Sequence, residues 1–155
     1  MSGRSVNSPR ILLLVEDSPG DVRLTKEAFL AADESIEIHV AVDGVDAMNF
    51  LKREDPHTGA PRPDLILLDL NLPRMDGREV LSRIKNDDSL KLIPTVILTT
   101  SAAEEDIVWS YGLHANVYLT KPVRFDDFEE LVRGIREFWL TLADLPKHQQ
   151  QPRLT

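Results

Sequence analysis

Five residues that follow short aliphatic runs carry groups able to do chemistry together. Glu16 and Asp17 follow Ile11 to Val15, Asp69 follows Leu65 to Leu68, Thr99 follows Thr95 to Leu98, and Lys121 follows the run that begins at Val117. Three carboxylates brought to one place repel, and they do not all stay ionised without a cation. Oxygen ligands with no His or Cys select a hard ion, Mg²⁺ rather than Zn²⁺. Mg²⁺ seldom takes a full protein cage and commonly keeps waters and a substrate phosphate oxygen. Thr99 and Lys121 then supply a hydroxyl and an ammonium to the other phosphate oxygens. A carboxylate beside such an ion is a nucleophile for phosphoryl transfer, giving an acyl phosphate. Taken singly, each residue has an ordinary explanation. Asp17 before Ser18 and Pro19 reads equally well as a helix cap, Thr99 as a turn hydroxyl and Lys121 as a solvated lysine. Four run ends of this kind in one chain outweigh those readings. They point to an aspartate that takes and later loses a phosphoryl group.

The residues meet only if the runs are strands of one sheet with their carboxyl ends together. Strand-like and helix-like segments do alternate. Strands are expected at 11–15, 36–42, 65–68, 95–98 and 117–119. Helices are expected at 21–32, 46–51, 77–85, 104–112 and 125–143, with Gly112 stopping the fourth. Arg53 to Pro63 holds three prolines and a glycine and reads as a loop. Continuous rather than alternating aliphatic runs mark strands covered on both faces. The βαβ order then predicts an α/β fold: a five-stranded parallel sheet, doubly wound, (βα)5 and flavodoxin-like. Ligands of such sheets sit at the carboxyl ends of the strands.

The chain has 155 residues, enough for one domain with a sizeable core. We expect a flexible segment at 1–9, the folded domain at 10–144 and a disordered tail at 145–155, where three consecutive glutamines stand between prolines. With no cysteine, a disulfide scaffold, a thiolate metal site and a cysteine nucleophile are excluded. Lys and Arg number 18 against 26 Asp and Glu, a net charge of −8, and no basic run offers a nucleic-acid surface. No apolar stretch is long enough to span a bilayer, and residues 1–9 lack the apolar middle of a signal peptide. The expected location is the cytoplasm, with neither nucleic acid nor membrane as a partner.

The stretches Val15-Glu-Asp-Ser18, Asp69-Leu-Asn-Leu-Pro-Arg-Met-Asp-Gly77, Leu98-Thr-Thr100 and Tyr118-Leu-Thr-Lys-Pro122 together resemble the receiver domain of two-component response regulators. The resemblance covers about Arg10 to Leu142. It implies that Asp69 is the phosphoacceptor and that Glu16 and Asp17 hold Mg²⁺ together with Asp69 and the backbone carbonyl of Asn71. It implies that Thr99 and Lys121 bind the phosphoryl group, that Thr99 and Tyr118 form the switch, and that the Lys121–Pro122 peptide is cis. It also implies slow hydrolysis of the acyl phosphate by the protein itself. The chain departs from the family in pairing Glu with Asp, in carrying Thr100 after the switch hydroxyl, and in a loop that stretches the interval from Asp17 to Asp69 to 52 residues. No output domain is expected after the last helix.

The Pro-rich loop, the stretch Ser110-Tyr-Gly-Leu-His-Ala-Asn-Val-Tyr118 and the closing Phe138-Trp-Leu140 are similar to the single-domain regulators that partner bacterial and cyanobacterial phytochromes. That similarity implies a sensor histidine kinase of the phytochrome type as phosphodonor. In the last helix, Phe125, Phe128, Leu131, Val132, Ile135, Phe138, Trp139 and Leu142 cover more than one face. A helix on one side of a sheet needs a single stripe. We therefore expect a homodimer through the fourth helix, fifth strand and fifth helix, anchored by Phe138, Trp139 and Leu142, with Trp109, Tyr111 and His114 as further aromatic candidates. The rival reading is a phosphatase similar to the haloacid dehalogenases. Such enzymes need a general acid two residues after the nucleophile, where this chain has Asn71. A binding-only pseudo-receiver is disfavoured by the intact acid set, and the glycines form no dinucleotide fingerprint.

Overall fold

The computed structural model describes residues 10–32, 35–100, 112 and 117–143. Five strands, β1 (Ile11–Val15), β2 (Glu37–Ala41), β3 (Leu65–Leu68), β4 (Thr95–Thr99) and β5 (Val117–Thr120), form one parallel sheet in the order β2-β1-β3-β4-β5. The helices among the described residues are α1 (Pro19–Ala32), α2 (Gly44–Lys52), α3 (Gly77–Lys85) and α4 (Phe125–Ala143), the last being the helix expected fifth from the sequence. A 3₁₀ turn at Leu90–Leu92 adds to the expected elements. The helix expected at 104–112 lies outside the described residues except for Gly112.

The aliphatic runs are continuous because successive side chains enter two different cores. Leu13, Val15, Ile66, Leu68, Ile97 and Tyr118 face α2 and α3, packing on Ala47, Phe50, Val80, Leu81 and Ile84. Leu12, Leu14, Leu65, Leu67, Val96 and Leu98 face α1 and α4, packing on Phe29, Phe128, Val132 and Ile135. Helix starts follow local chemistry. Pro19 opens α1 two residues earlier than expected, its fixed φ and missing N–H both suiting a first turn. Asp43 caps α2 by accepting from the Asp46 N–H at 2.7 Å. The long loop before β3 is tied back to α2, where His57 Nε2 is hydrogen-bonded to Asp46 Oδ1 at 2.6 Å and the His57 ring meets Phe50 edge-on.

Two expectations fail here. Trp139 is only 3 % exposed and belongs to the core on the α1 side, with the Arg10 guanidinium 5.7 Å from its ring centroid. Phe138 packs against that core, half-buried, and the side chain of Leu142 lies outside the described residues. The apolar stripe of α4 is broad because the helix packs on α1 as well as on the sheet, so two contacts use it. Trp139 is therefore not a dimer anchor. The cis peptide among the described residues is Asp55–Pro56, and Lys121–Pro122 is trans. A proline permits the cis form without requiring it.

Trp139→Ala is expected to lower unfolding free energy by about 3–5 kcal/mol, the cost of emptying a buried aromatic site. Urea denaturation measures this, and a loss below about 1 kcal/mol would place Trp139 at the surface instead.

Candidate functional site

The parallel ladder carries one residue past β1, β3 and β5 and so sets the functional groups on one edge. The Glu16 N–H donates to the Ala41 carbonyl at 2.9 Å, the Asp69 N–H to Val15 at 3.0 Å, and the Lys121 N–H to Thr99 at 2.9 Å. Beyond Asp69 the chain turns at once into α3, and this turn needs Gly77. A Cβ there would lie 2.2 Å from the Asp69 carbonyl oxygen, closer than any side chain tolerates. Gly44 is equally constrained, since a Cβ would meet the Met75 carbonyl oxygen at 2.1 Å. The Asp69–Gly77 turn is thus seated on the start of α2. Arg74, at φ 67°, reaches Asp43 at 3.5 Å across the same contact.

Asp69, 6 % exposed, has donors on both carboxylate oxygens. Oδ1 accepts from the Thr99 hydroxyl at 2.8 Å and from the Asn71 N–H at 2.9 Å. Oδ2 accepts from the Lys121 ammonium at 3.0 Å. The Asn71 side-chain amide donates to Thr99 Oγ1 at 3.3 Å. Glu16 is buried, accepts from the Ser18 N–H at 3.1 Å and pairs closely with Lys121. Asp17 is exposed, yet carboxylate oxygens of Glu16, Asp17 and Asp69 all lie within 4.8 Å of one another. Tyr118 is buried on the α2 and α3 side of the sheet. All the residues expected at the strand ends therefore share one edge.

One participant has no signature in the sequence. Asp21, in the first turn of α1, accepts from Lys121 at 2.8 Å. An acid in a first helical turn is ordinary for its interaction with the helix dipole, so sequence alone singles it out for nothing more.

Crowding shows in the protonation of the site. Burial pushes the Glu16 carboxyl up to about 7, and the neighbouring Asp69 charge adds to this while the hydrogen bond from Lys121 opposes it. Burial alone would lower the Lys121 ammonium, but bonds to Asp21 and Glu16 and the Asp69 charge outweigh it, and its pKa is raised. Lys121 is thus a permanent cation. Four acids around one ammonium leave the edge short of positive charge, and the oxygens gathered from Glu16, Asp17 and Asp69 suit a hard divalent ion.

A β2-β1-β3-β4-β5 parallel sheet with aspartate, hydroxyl and lysine at three neighbouring strand ends defines a receiver-type phosphoacceptor domain. The family model of the response regulator receiver domain matches residues 12–133, and the chain belongs to that family. It is 49% identical over 140 residues to the response regulator Rcp1 of Synechocystis sp., covering 90% of this chain and 95% of Rcp1. The Mn²⁺-bound form of Rcp1 superimposes with a TM-score of 0.82 at 48% identity, covering 89% of this chain and 99% of the other. The phosphorylated cyanobacterial phytochrome response regulator RcpA does so with a TM-score of 0.84 at 48% identity, with the same coverage of 89% and 99%. The bacteriophytochrome response regulator AtBRR gives 0.70 at 40% identity, covering 84% of this chain and 95% of AtBRR.

In metal-free protein, Glu16 takes a proton near pH 7 when folded but only near its ordinary 4.5 when unfolded. Its burial cost is therefore complete above pH 7 and is relieved as pH falls towards 4.5. With chelator present, raising pH from about 5 to about 8 is expected to destabilise wild type relative to Glu16→Gln by roughly 2–3 kcal/mol. Parallel stability curves for the two proteins would contradict the shift.

Proposed function

We propose that this chain accepts a phosphoryl group on Asp69 from the phosphohistidine of a phytochrome-type sensor histidine kinase. The observation that carries the proposal is the Asp69 carboxylate held between the Thr99 hydroxyl and the Lys121 ammonium. The likeness to RcpA and AtBRR, both described as phytochrome response regulators, supports the kind of donor.

Glu16, Asp17 and Asp69, with the Asn71 backbone carbonyl, would hold Mg²⁺. Bound there, the ion supplies charge neutralisation for the phosphoryl oxygens. The remaining chemistry belongs to the chain. An Asp69 oxygen attacks phosphorus, an O–P bond forms, the P–N bond to imidazole breaks, and the imidazole leaves. Thr99 and Lys121, which donate to the free Asp69 carboxylate, turn their donors to the new phosphoryl oxygens. Thr99 and Tyr118, the latter buried on the α2 and α3 side of the sheet, form the switch that carries the conformational signal in this reading. Water later attacks phosphorus, returns the carboxylate and releases phosphate, so the domain ends its own signal. Thr100, which is exposed next to Thr99, slows the entry of that water.

A homodimer through the 104–112 segment, β5 and α4 is part of this reading. It rests on exposed Val123 and Phe125 beside β5 rather than on Trp139. The cytoplasm is the proposed location, in keeping with the absence of any described helix long and apolar enough to cross a membrane.

With Mg²⁺ and a small acyl-phosphate donor, wild type is expected to gain one phosphoryl mass and Asp69→Asn none. Phosphotransfer from purified phosphorylated kinases, ranked by rate, is expected to favour a phytochrome kinase. An adduct on Asp69→Asn would overturn the acceptor, and a faster non-phytochrome kinase would overturn the partner. Removing Mg²⁺ with chelator is expected to stop the reaction and to lower the melting temperature, since the ion binds the folded state.

A further inference from the structure

Lys121 has three N–H donors and three carboxylate partners: Glu16, Asp21 at 2.8 Å and Asp69 at 3.0 Å. Two of these, Glu16 and Asp69, also belong to the trio whose oxygens gather within 4.8 Å. They face competing demands, because a cation at that trio and a phosphoryl group on Asp69 both draw on their oxygens. Asp21 lies outside the trio. Its place is set by α1, whose first turn Ser18 closes by accepting from the Asp21 N–H at 3.4 Å. Its side chain is about one-third exposed while the Lys121 side chain is 6 % exposed, so Asp21 meets the ammonium from the solvent side of a buried group.

We propose that Asp21 is a positioning residue for phosphoryl transfer, holding the Lys121 ammonium in place while Glu16 and Asp69 serve the cation and the phosphoryl group. This rests on the phosphoacceptor reading above. An ammonium on a flexible four-carbon stem needs such an anchor, because its three donors rotate freely and its charge has no preferred plane. With Asp21 present, the donor on Asp69 Oδ2 is redirected to a phosphoryl oxygen without the whole side chain moving. Without it, the ammonium is left to the two acids that the reaction itself occupies.

The test times phosphorylation of the full chain by acetyl phosphate at saturating Mg²⁺, followed by intact mass, with Mg²⁺ affinity measured separately by titration calorimetry. Asp21→Ala is expected to slow phosphorylation about tenfold, the scale of one lost charge-assisted contact to a reacting group's partner. Mg²⁺ affinity is expected to stay within about threefold, since Asp21 is no ligand and acts on the ion only as a nearby charge. Asp21→Asn keeps an acceptor oxygen and is expected to recover part of the rate. In a Lys121→Gln background, Asp21→Ala is expected to change nothing further, because Asp21 acts only through the ammonium. If that background is too slow to time, the order wild type, Asp21→Asn, Asp21→Ala at equal Mg²⁺ affinity decides. A wild-type rate in Asp21→Ala overturns the proposal, as does slowing explained by weaker Mg²⁺ binding or slowing that persists without Lys121. Failure of wild type itself to take phosphate on Asp69 would remove the underlying phosphoacceptor reading instead.

Discussion

The ammonium of Lys121 lets buried and half-buried acids meet where the sheet ends. It touches Glu16, Asp21 and Asp69, with Asp17 alongside the first and third. Carboxylates at this spacing repel strongly when water is excluded, and a buried ion pair stripped of one partner typically costs about 3–5 kcal/mol. One cation for four acids leaves the edge short of positive charge. That shortage is what makes the site useful. It suits the edge to a divalent ion, while burial, with the Asp69 charge adding to it, holds the Glu16 carboxyl up at about 7. It also leaves Asp69 surrounded by donors that suit a phosphoryl group as well as a carboxylate.

The scaffold exists to hold that edge still. Parallel strands buried on both faces fix β1, β3, β4 and β5 in register, and one further ladder bond beyond them sets Glu16, Asp69 and Lys121. Connections from strand to helix must then be short and tightly turned. Gly77 and Gly44 allow this because each backbone lies where a Cβ would strike a neighbouring carbonyl. The Asp43 cap, the Arg74 contact and the seat of Met75 join the start of α2 to the turn after Asp69. The same end of α2 is tied to the long loop before β3 by the His57–Asp46 hydrogen bond.

Much of this is legible in the amino-acid sequence. Residues after Val15, Leu68, Leu98 and Leu119 need only be aligned at one edge, because hydrophobic runs report strand burial directly and parallel topology dictates which end is shared. Spacing along the chain also reveals α3, whose bounds agree with expectation at Gly77 and Lys85. The features that stay hidden depend on contacts between distant elements. Asp21 pairs with a residue one hundred positions away, and nothing local distinguishes it from a helix-starting acid. Trp139 looks surplus in the sequence because the width of an apolar stripe does not say how many neighbours use it, and here both α1 and the sheet do. The Lys121–Pro122 bond depends on tertiary surroundings that no dipeptide records.

The central claim is that the Lys121 ammonium and a divalent cation draw on shared carboxylates, Glu16 and Asp69. It is tested most directly by the melting temperature of Lys121→Met against wild type, each measured in chelator and in millimolar Mg²⁺. Without the ammonium the metal-free edge holds unpaired acids, so the variant is expected to melt well below wild type in chelator. The ion then has more repulsion to relieve, and Mg²⁺ is expected to raise the variant's melting temperature by more than it raises wild type's. An equal or smaller gain in the variant would show that lysine and metal act on separate groups, and would contradict the account.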